Sequence, residues 1–254
     1  MKNPKTVLIT GASSGIGHAL ALDYAAPGVT LLLTGRNQAR TDEIAKACAA
    51  KGATVKTSIT PVTERETFKK ELLVWDDSHP IDLVVANAGV SGGTGGKSGE
   101  SDDQFRAIME INLDGTFNTV NPLLPRMVSR KKGQIALMSS MAGFRGMPNA
   151  PAYSTSKVAV RAYGEALRPL LKKDGVEVSV IFPGFVKTPL TDVNKFPMPW
   201  LITTEKAATC IRRGLSANRA RIVFPWQMHL LARFIAALPL CIGDFILSHA
   251  PKKS

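Results

Sequence analysis

A tyrosine and a lysine one helical turn apart are the residues of this sequence best placed to do chemistry. Tyr153 and Lys157 fall within a helical pattern that we predict from about Asn149 to Lys173, so they share one helix face at i and i+4. A phenol titrates near pH ~10, but an ammonium group close by favours the phenolate and brings the proton within reach of chemistry. Tyr153 is therefore a candidate general acid/base. The same spacing is common on solvated helix faces, so the elements around the pair must decide.

A glycine-rich turn near the start of the chain has the pattern of a phosphate-binding loop. The segment from Thr10 to Gly17 follows a strand-like run and precedes a helical pattern that reaches about Ala26. Glycines at such a turn let the backbone approach a pyrophosphate, and the free N–H groups of the helix N-terminus favour negative charge. The spacing predicts a dinucleotide site. Its predicted contacts are Gly11, Ser13, Ser14, Gly15, Ile16 and Gly17.

The next predicted strand, from Val29 to Thr34, is followed by Gly35 and Arg36. In a dinucleotide-binding unit an acidic residue at this place bonds the ribose 2′-OH, whereas an arginine suits a 2′-phosphate. Arg36 therefore favours NADP(H), and NAD(H) stays possible.

Strand and helix patterns alternate along most of the chain. We predict further strands at 54–59, 81–86, 133–138, 176–182 and 221–224, and further helices at 38–51, 63–76, from 102 onward, and at 204–217. Strands separated by helices form βαβ units with right-handed crossovers. The sequence thus predicts an α/β fold, a Rossmann-type doubly wound parallel sheet with helices on both faces.

Three predicted strand ends should meet in one crevice, because the carboxyl ends of parallel strands lie on the same edge of a sheet. One of them carries Ser140, thirteen residues before Tyr153, so its hydroxyl could lie opposite the phenol. The other two supply the remaining predicted cofactor contacts, which are Asn87, Ala88, Gly89, Pro183, Gly184, Val186 and Thr188.

Asn112 lies in the interior of the helical pattern that begins at Asp102. Asparagine is a poor helix former because its side chain competes for backbone hydrogen bonds. We expect Asn112 either to face solvent or to hold a water or a backbone group inside the protein.

Together these motifs resemble the short-chain dehydrogenase/reductase family in its single-domain form, over about residues 5–225. The resemblance depends on the order and spacing of motifs that match the family's cofactor loop (Thr10–Gly17), strand end (Asn87–Gly89), helix asparagine (Asn112), catalytic serine (Ser140), Tyr-x-x-x-Lys pair (Tyr153, Lys157) and Pro-Gly loop (Pro183, Gly184, Thr188).

The resemblance implies that an alcohol and a ketone or aldehyde are interconverted by hydride transfer. Tyr153 would exchange a proton with the substrate oxygen, and Ser140 would hydrogen-bond the same oxygen. Lys157 would lower the pKa of the tyrosine and hold the nicotinamide ribose, and Asn112 would fix a water that links Lys157 to solvent. The alternatives are an NAD(H)-preferring enzyme and a dinucleotide-binding sensor without turnover; the four groups in register favour an enzyme.

The sequence departs from the family at the adenine site. Pro61 and Val62 stand where the family carries an Asp-Val pair whose Asp bonds the adenine. Adenine recognition must then depend on backbone or other groups. Ser14 stands where some NADP-using members carry a basic residue, so the cofactor preference depends on Arg36.

Apolar residues near the predicted crevice indicate a lipophilic or bulky alcohol or ketone as substrate. Beside Ser140, the predicted substrate residues are Met141, Met147, Phe185, Met198 and Trp200, with Phe144 and Phe196 nearby and a substrate loop at about 184–204. Arg145 is the one basic side chain there that could bind a carboxylate.

Length and charge limit the remaining classes. The 254 residues suit one domain, predicted at 1–225. The net charge of +12 arises wholly after residue 125, where 20 Lys/Arg face 6 Asp/Glu. These basic residues form only short runs without a recognition motif, so we expect no nucleic acid. Three scattered cysteines predict neither disulfides nor a metal site, and no signal-peptide pattern opens the chain, which favours the cytoplasm.

The last segment, 226–254, is an apolar and basic extension. Its apolar residues recur at helical spacing, and its longest apolar run, 234–242, is nine residues, whereas a bilayer span needs ~20. We expect it to pack on the domain, to form a homo-oligomer contact in a dimer or tetramer, or to lie on a membrane surface with the basic end Lys252 and Lys253 near anionic headgroups.

Overall fold

A seven-stranded parallel sheet forms the middle layer of the protein, seen in a computed structural model that describes residues 1–95, 99–192, 194 and 196–248. The strand order is β3-β2-β1-β4-β5-β6-β7. In chain order the strands are β1 (Thr6–Ile9), β2 (Thr30–Thr34), β3 (Thr54–Ser58), β4 (Leu83–Ala86), β5 (Gly133–Met138), β6 (Val176–Pro183) and β7 (Arg221–Phe224). Strands β1 and β4 are buried along their whole length, as expected for a sheet covered on both faces.

Helices cover both faces of the sheet. They are α1 (Gly15–Tyr24), α2 (Gln38–Ala50), α3 (Arg65–Ser78), α4 (Asp102–Met109), α5 (Gly115–Val120), α6 (Leu124–Ser129), α7 (Pro151–Leu171), α8 (Pro189–Asp192), α9 (Thr204–Ser216), α10 (Trp226–Ala237) and α11 (Leu240–Ser248).

Two hydrophobic cores result, one on each side of the sheet. Val7 and Ile9 of β1 point into the core that includes Leu20 of α1, whereas Leu8 between them points into the core that includes Phe68 of α3. This alternation follows from the two-residue period of a strand. The predicted doubly wound α/β fold is confirmed.

The predicted helix around Asn112 differs from the structure. It consists of α4, a π-helical turn at Glu110–Asp114, and α5. Gly115 N–H donates to the carbonyl of Glu110, five residues back, which marks the wider turn. Because a π-turn displaces the residues inside it, such turns often occur at functional sites.

Part of the basic excess is used within the fold. Arg130 donates two hydrogen bonds to the buried carboxylate of Asp76 at 2.6 and 3.0 Å, and Lys132 pairs with Asp82 at 2.7 Å. Arg130 and Lys132 of the basic run at 130–132 are therefore paired within the fold.

The segment after the sheet forms α10 and α11, as the predicted extension required; its last residues, 249–254 with Lys252 and Lys253, lie outside the described residues. None of the helices described is long and apolar enough to cross a bilayer.

Candidate active site

A cleft of about 480 Å³ opens where the strand order reverses, between β1 and β4. This is the edge at which doubly wound sheets bind ligands. Every predicted cofactor residue lines the cleft except Gly17, which is buried beneath the loop. Ser140 also lines it, whereas Asn112 lies behind it.

The glycine-rich loop has a backbone that other residues would disrupt. Gly11 and Gly15 have φ of +67° and +58°, in the left-handed region that favours glycine. A Cβ on Gly17 would lie 2.4 Å from the carbonyl oxygen of Gly11 and 2.6 Å from the side-chain nitrogen of Asn87. Gly17 therefore permits the first turn of α1 to press against the loop.

The N-terminus of α1 points its free backbone donors toward the cleft. Ser14 is the N-cap residue, but its side chain makes no capping hydrogen bond, and the first turn of the helix carries no acidic residue. Orphan N–H groups and the positive end of the helix dipole suit an anionic group such as a phosphate.

Thr10 joins two of the cleft's loops, a role that sequence reasoning missed. Its Oγ1 accepts hydrogen bonds from the backbone N–H groups of Asn87 and Ala88, each at 3.0 Å. In return, Asn87 Nδ2 donates to the Thr10 carbonyl at 2.9 Å. These bonds fix the end of β4 against the glycine loop.

Two arginines stand at the far end of the cleft. Arg36 is joined there by Arg40, whose backbone N–H donates to the side chain of Asn37, the N-cap of α2. Neither guanidinium forms an ion pair with a described residue, and the cleft's described lining contains no carboxylate. Sequence reasoning missed Arg40, although its i+4 spacing from Arg36 was visible.

The adenine end is lined by Thr60, Pro61, Val62 and Thr63. The carbonyl of Val62 accepts a hydrogen bond from Asn118 Nδ2 at 2.8 Å, and Gly115 packs closely on the Val62 side chain. Pro61 and Val62 thus offer an apolar wall where the family's aspartate would stand.

The opposite end of the cleft holds Lys157 in a buried position. Its Nζ donates to the carbonyl of Met138 at 3.0 Å and lies 5.6 Å from the centre of the Tyr153 ring. The Ser139 hydroxyl donates to the Lys157 carbonyl at 2.8 Å, which fixes α7 against the end of β5. Burial disfavours the ammonium and lowers the pKa of Lys157 to about 8.

Tyr153 and Ser140 meet across the cleft through a hydrogen bond between their side chains. Burial raises the pKa of the Tyr153 phenol, and the bond with Ser140 lowers it only in part. The net direction is therefore upward, whereas the resemblance implies that Lys157 lowers the pKa of Tyr153. At neutral pH the phenol holds its proton.

Asn112 holds a backbone group inside the protein, one of the two predicted outcomes. Its Oδ1 accepts from the N–H of Val90 at 2.7 Å, and its Nδ2 donates to the Val90 carbonyl and to the Ser156 hydroxyl, each at 3.0 Å. Asn112 therefore locks the loop after β4 to the catalytic helix α7.

Comparison with known proteins identifies this arrangement. The family model for short chain dehydrogenases matches residues 5–196. The chain belongs to the short-chain dehydrogenase family. It is thus an NAD(P)-dependent oxidoreductase that acts on a small molecule.

Relatives and solved structures agree with this membership. The chain is 39% identical to an uncharacterized oxidoreductase from Myxococcus xanthus over 94% of its length and 95% of the relative's. It shares the fold of a short-chain dehydrogenase from Sphingobium yanoikuyae in complex with NADPH, with a TM-score of 0.81 at 22% identity and coverage of 98% and 97%. It also matches a 3-oxoacyl-[acyl-carrier protein] reductase from Brucella melitensis with bound NAD, with a TM-score of 0.74 at 25% identity and coverage of 87% and 89%.

The predicted substrate residues of this short-chain dehydrogenase are spread over several places. Only Ser140 lines the cleft; Met141 is buried under the turn that follows it. Met147 borders a separate groove between α7 and α11, and Phe185 packs against Phe196 with ring centres 5.9 Å apart.

The remaining two predicted substrate residues belong to the loop at 184–204, of which residues 193 and 195 lie outside the described part of the chain. Met198 accepts a weak bond from Asn194 Nδ2 at 3.5 Å, and Trp200 is exposed with φ of +56°. Neither of them lines the cleft.

Arg145 does not stand free for a substrate carboxylate. Its guanidinium donates to the carbonyl of Ile235 at 2.9 Å and pairs with Asp244 at 3.1 Å. Arg145, five residues after Ser140, therefore holds the C-terminal extension, and its partners, 90 and 99 residues away, gave no sequence signal.

Proposed function

We propose that this protein interconverts a secondary alcohol and a ketone or aldehyde by hydride transfer with NADP(H), using Tyr153 as the general acid/base. The observation that carries the proposal is the group formed by Ser140, Tyr153 and Lys157 at one end of a dinucleotide-shaped cleft. The arginines at the other end and the glycine loop between them suit the cofactor's two phosphate positions.

Ser140 and Tyr153 act on the substrate oxygen in this proposal. The hydroxyl groups of Ser140 and Tyr153 hydrogen-bond that oxygen, and Tyr153, protonated at neutral pH, donates its proton as negative charge develops there during reduction. A bound nicotinamide supplies the hydride. The ammonium of Lys157 then stabilises the phenolate that remains and is placed to hold the nicotinamide ribose.

Asn112 supports the proposed proton path from Lys157 to solvent. A Cβ on Gly89 would lie 3.0 Å from Asn112 Oδ1 and 3.4 Å from Lys157 Nζ, so the two groups border the same space. Oδ1 keeps a second lone pair beside its bond to Val90. A water between these groups would link Lys157 outward, as the resemblance implies.

NADP(H) is the proposed cofactor, with NAD(H) as the alternative. Arg36 and Arg40 are two cations at the adenosine end of the cleft, and neither forms an ion pair with a described residue. The described lining of the cleft has no carboxylate. A 2′-phosphate would bond these guanidiniums, whereas a ribose 2′-OH would find no carboxylate.

The proposed substrate is apolar or bulky, since Phe185 lies in sequence between Gly184 and Val186 of the cleft lining and packs against Phe196. We also propose that residues 1–225 form the catalytic domain and that the extension packs on it. The catalytic and cofactor residues named above would have the roles given there. We propose that the protein is a cytoplasmic homo-oligomer.

A screen of ketones, including long-chain and steroid-like ones, followed by NADPH absorbance tests the proposal. We expect turnover of at least one class, and in Tyr153→Phe a ~10²–10⁴-fold lower turnover rate with NADPH binding retained. Tyr153→Phe turning over like the wild type would refute the acid/base role. NADPH binding without turnover of any compound would favour the sensor.

A further inference from the structure

The exposed apolar side chains of this protein are concentrated in its C-terminal extension. Of 16 exposed large hydrophobic side chains in the described residues, 8 fall within the 23 residues 226–248. They are Trp226, Leu230, Leu231, Phe234, Leu240, Ile242, Phe245 and Ile246. Concentrations of this kind mark an interaction surface, because isolated exposed apolar residues are normal but clusters are rare.

Helix α10 has an inner and an outer side. Its inner side rests on the catalytic domain, where Met228 packs against Gly184 and the His229 ring lies 5.5 Å from that of Phe144. Trp226, Leu230 and Phe234 recur at i, i+4 and i+8 and form a line on the outer side. The helix is therefore held in place while its outer line stays in contact with solvent.

Helix α11 is anchored in the same way. Gly243 and Leu247 are buried, and a Cβ on Gly243 would lie 2.3 Å from the Arg145 guanidinium. Phe245 and Leu240 remain 69% and 75% exposed. The same arginine binds the carbonyls of Ile235 and Leu240, so one side chain fixes both helices to the domain.

The charged residues of the extension indicate which partner its apolar surface would bind. Arg233 and Asp244 are the two charged residues within 226–248, and Asp244 is paired with Arg145. Arg233, exposed on α10, forms no ion pair with a described residue. Residues 126–254 hold 20 Lys/Arg and 6 Asp/Glu, a net charge of +14, so a second copy would approach this surface with the same excess of positive charge, which is unfavourable. Anionic headgroups would instead match the charge.

We propose that α10 and α11 dock on the surface of an anionic lipid bilayer. Helices that lie in the interface carry an apolar face with Trp, Phe and Leu and nearby cations, and they bind by burying that face while the cations meet the headgroups. Helix α10, of 12 residues, is ~18 Å long and too short to span the ~30 Å hydrocarbon core, so we place it along the bilayer surface. Docking does not depend on the proposed reaction.

Flotation of the full-length protein with phosphatidylcholine vesicles, with and without phosphatidylglycerol, tests the docking. We expect the protein to float with the anionic vesicles and to be released by salt. The double substitution Phe234→Ser and Phe245→Ser should lower the bound fraction at least ~10-fold, since both rings are exposed and their loss leaves the core intact.

A matched control is available in the catalytic domain. Val74 and Leu170 are 64% and 61% exposed on α3 and α7, close to the 61% and 69% of Phe234 and Phe245. Val74→Ser with Leu170→Ser should leave flotation unchanged. Circular dichroism and the melting temperature establish that both double variants fold.

Two results would overturn the proposal. One is a folded wild-type protein that does not float with anionic vesicles at low salt. The other is equal flotation of the wild type and the Phe234/Phe245 variant. Sedimentation velocity without lipid tests the alternative that the surface binds a second copy. That alternative holds if the wild type is an oligomer that does not bind vesicles and the Phe234/Phe245 variant is a monomer.

Discussion

The cofactor end and the C-terminal end of this protein are built in opposite ways. Around the glycine loop, Gly17 and Thr10 leave no space between backbone segments, and every predicted contact there except buried Gly17 lines one cleft. In the extension, α10 has no fully buried residue, and Trp226, Leu230 and Phe234 on its outer side face solvent. Binding a pyrophosphate through backbone N–H groups requires a backbone of defined shape, whereas an exposed apolar surface requires only apolar side chains on its outer side.

The largest expected effect on cofactor binding comes from adding one methyl group to the glycine loop. Gly17→Ala would place a Cβ 2.4 Å from the Gly11 carbonyl, so the loop must move. We expect NADPH affinity to fall about 100-fold, or ~2.7 kcal/mol, as measured by fluorescence titration. Gly146→Ala is the matched control on the substrate side, because a Cβ there meets nothing within 4 Å. Equal affinity for the two variants would refute the close-packed loop.

The next effect concerns the cofactor's second phosphate. In Arg36→Ala we expect NADPH affinity to fall ~10–100-fold, since a hydrogen bond between charged groups contributes ~1.5–3 kcal/mol, while NADH affinity changes little. Arg106→Ala, on the exposed face of α4, should change neither. If the wild type binds NADH as tightly as NADPH, the preference inferred from Arg36 and Arg40 is wrong.

The sequence predicted the cofactor end of the protein better than it predicted contacts between distant segments. Strands β1 and β4 were readable because strands buried on both faces are unbroken apolar runs, and the glycine loop because few other residues fit it. Thr10 and Arg40 were missed, although each lies in or beside a predicted motif, because their roles depend on partners brought together by the fold.

Features that depend on tertiary burial could not be predicted from the sequence. The pKa of Tyr153 is raised because the folded chain buries the phenol, and no spacing of Tyr and Lys reports that. Asn112, inside the π-turn, bonds to Val90 and Ser156, 22 and 44 residues away, and nothing near it in the sequence indicates these partners. Arg145 likewise found its partners in the extension and not in a substrate.

The third prediction concerns Lys157, whose replacement should change turnover and the free energy of unfolding in opposite directions. Burial lowers the pKa of Lys157 from 10.5 to about 8, so at pH 7 the folded state carries a disfavoured ammonium. Lys157→Met should abolish turnover and raise the free energy of unfolding at pH 7, because the variant buries no ammonium.

The sign of its pH dependence follows from proton binding. Between pH 8 and 10.5 the unfolded wild type binds more protons than the folded wild type, so the wild type gains stability as pH rises and the advantage of the variant shrinks. Urea unfolding at pH 7 and pH 10 measures both values, with exposed Lys173→Met as the control. A variant less stable than the wild type at pH 7 would contradict this account.

The smallest effect tests the attachment of the extension. Asp244 is 72% exposed, so its ion pair with Arg145 should contribute less than ~1 kcal/mol, and Asn in its place can still accept a hydrogen bond. Asp244→Asn should therefore lower the melting temperature by at most a few degrees. Arg145→Ala should cost more, because the carbonyls of Ile235 and Leu240 lose their donor. Were the two variants equally destabilised, the ion pair rather than the carbonyl bonds would be what holds α10 and α11 on the domain.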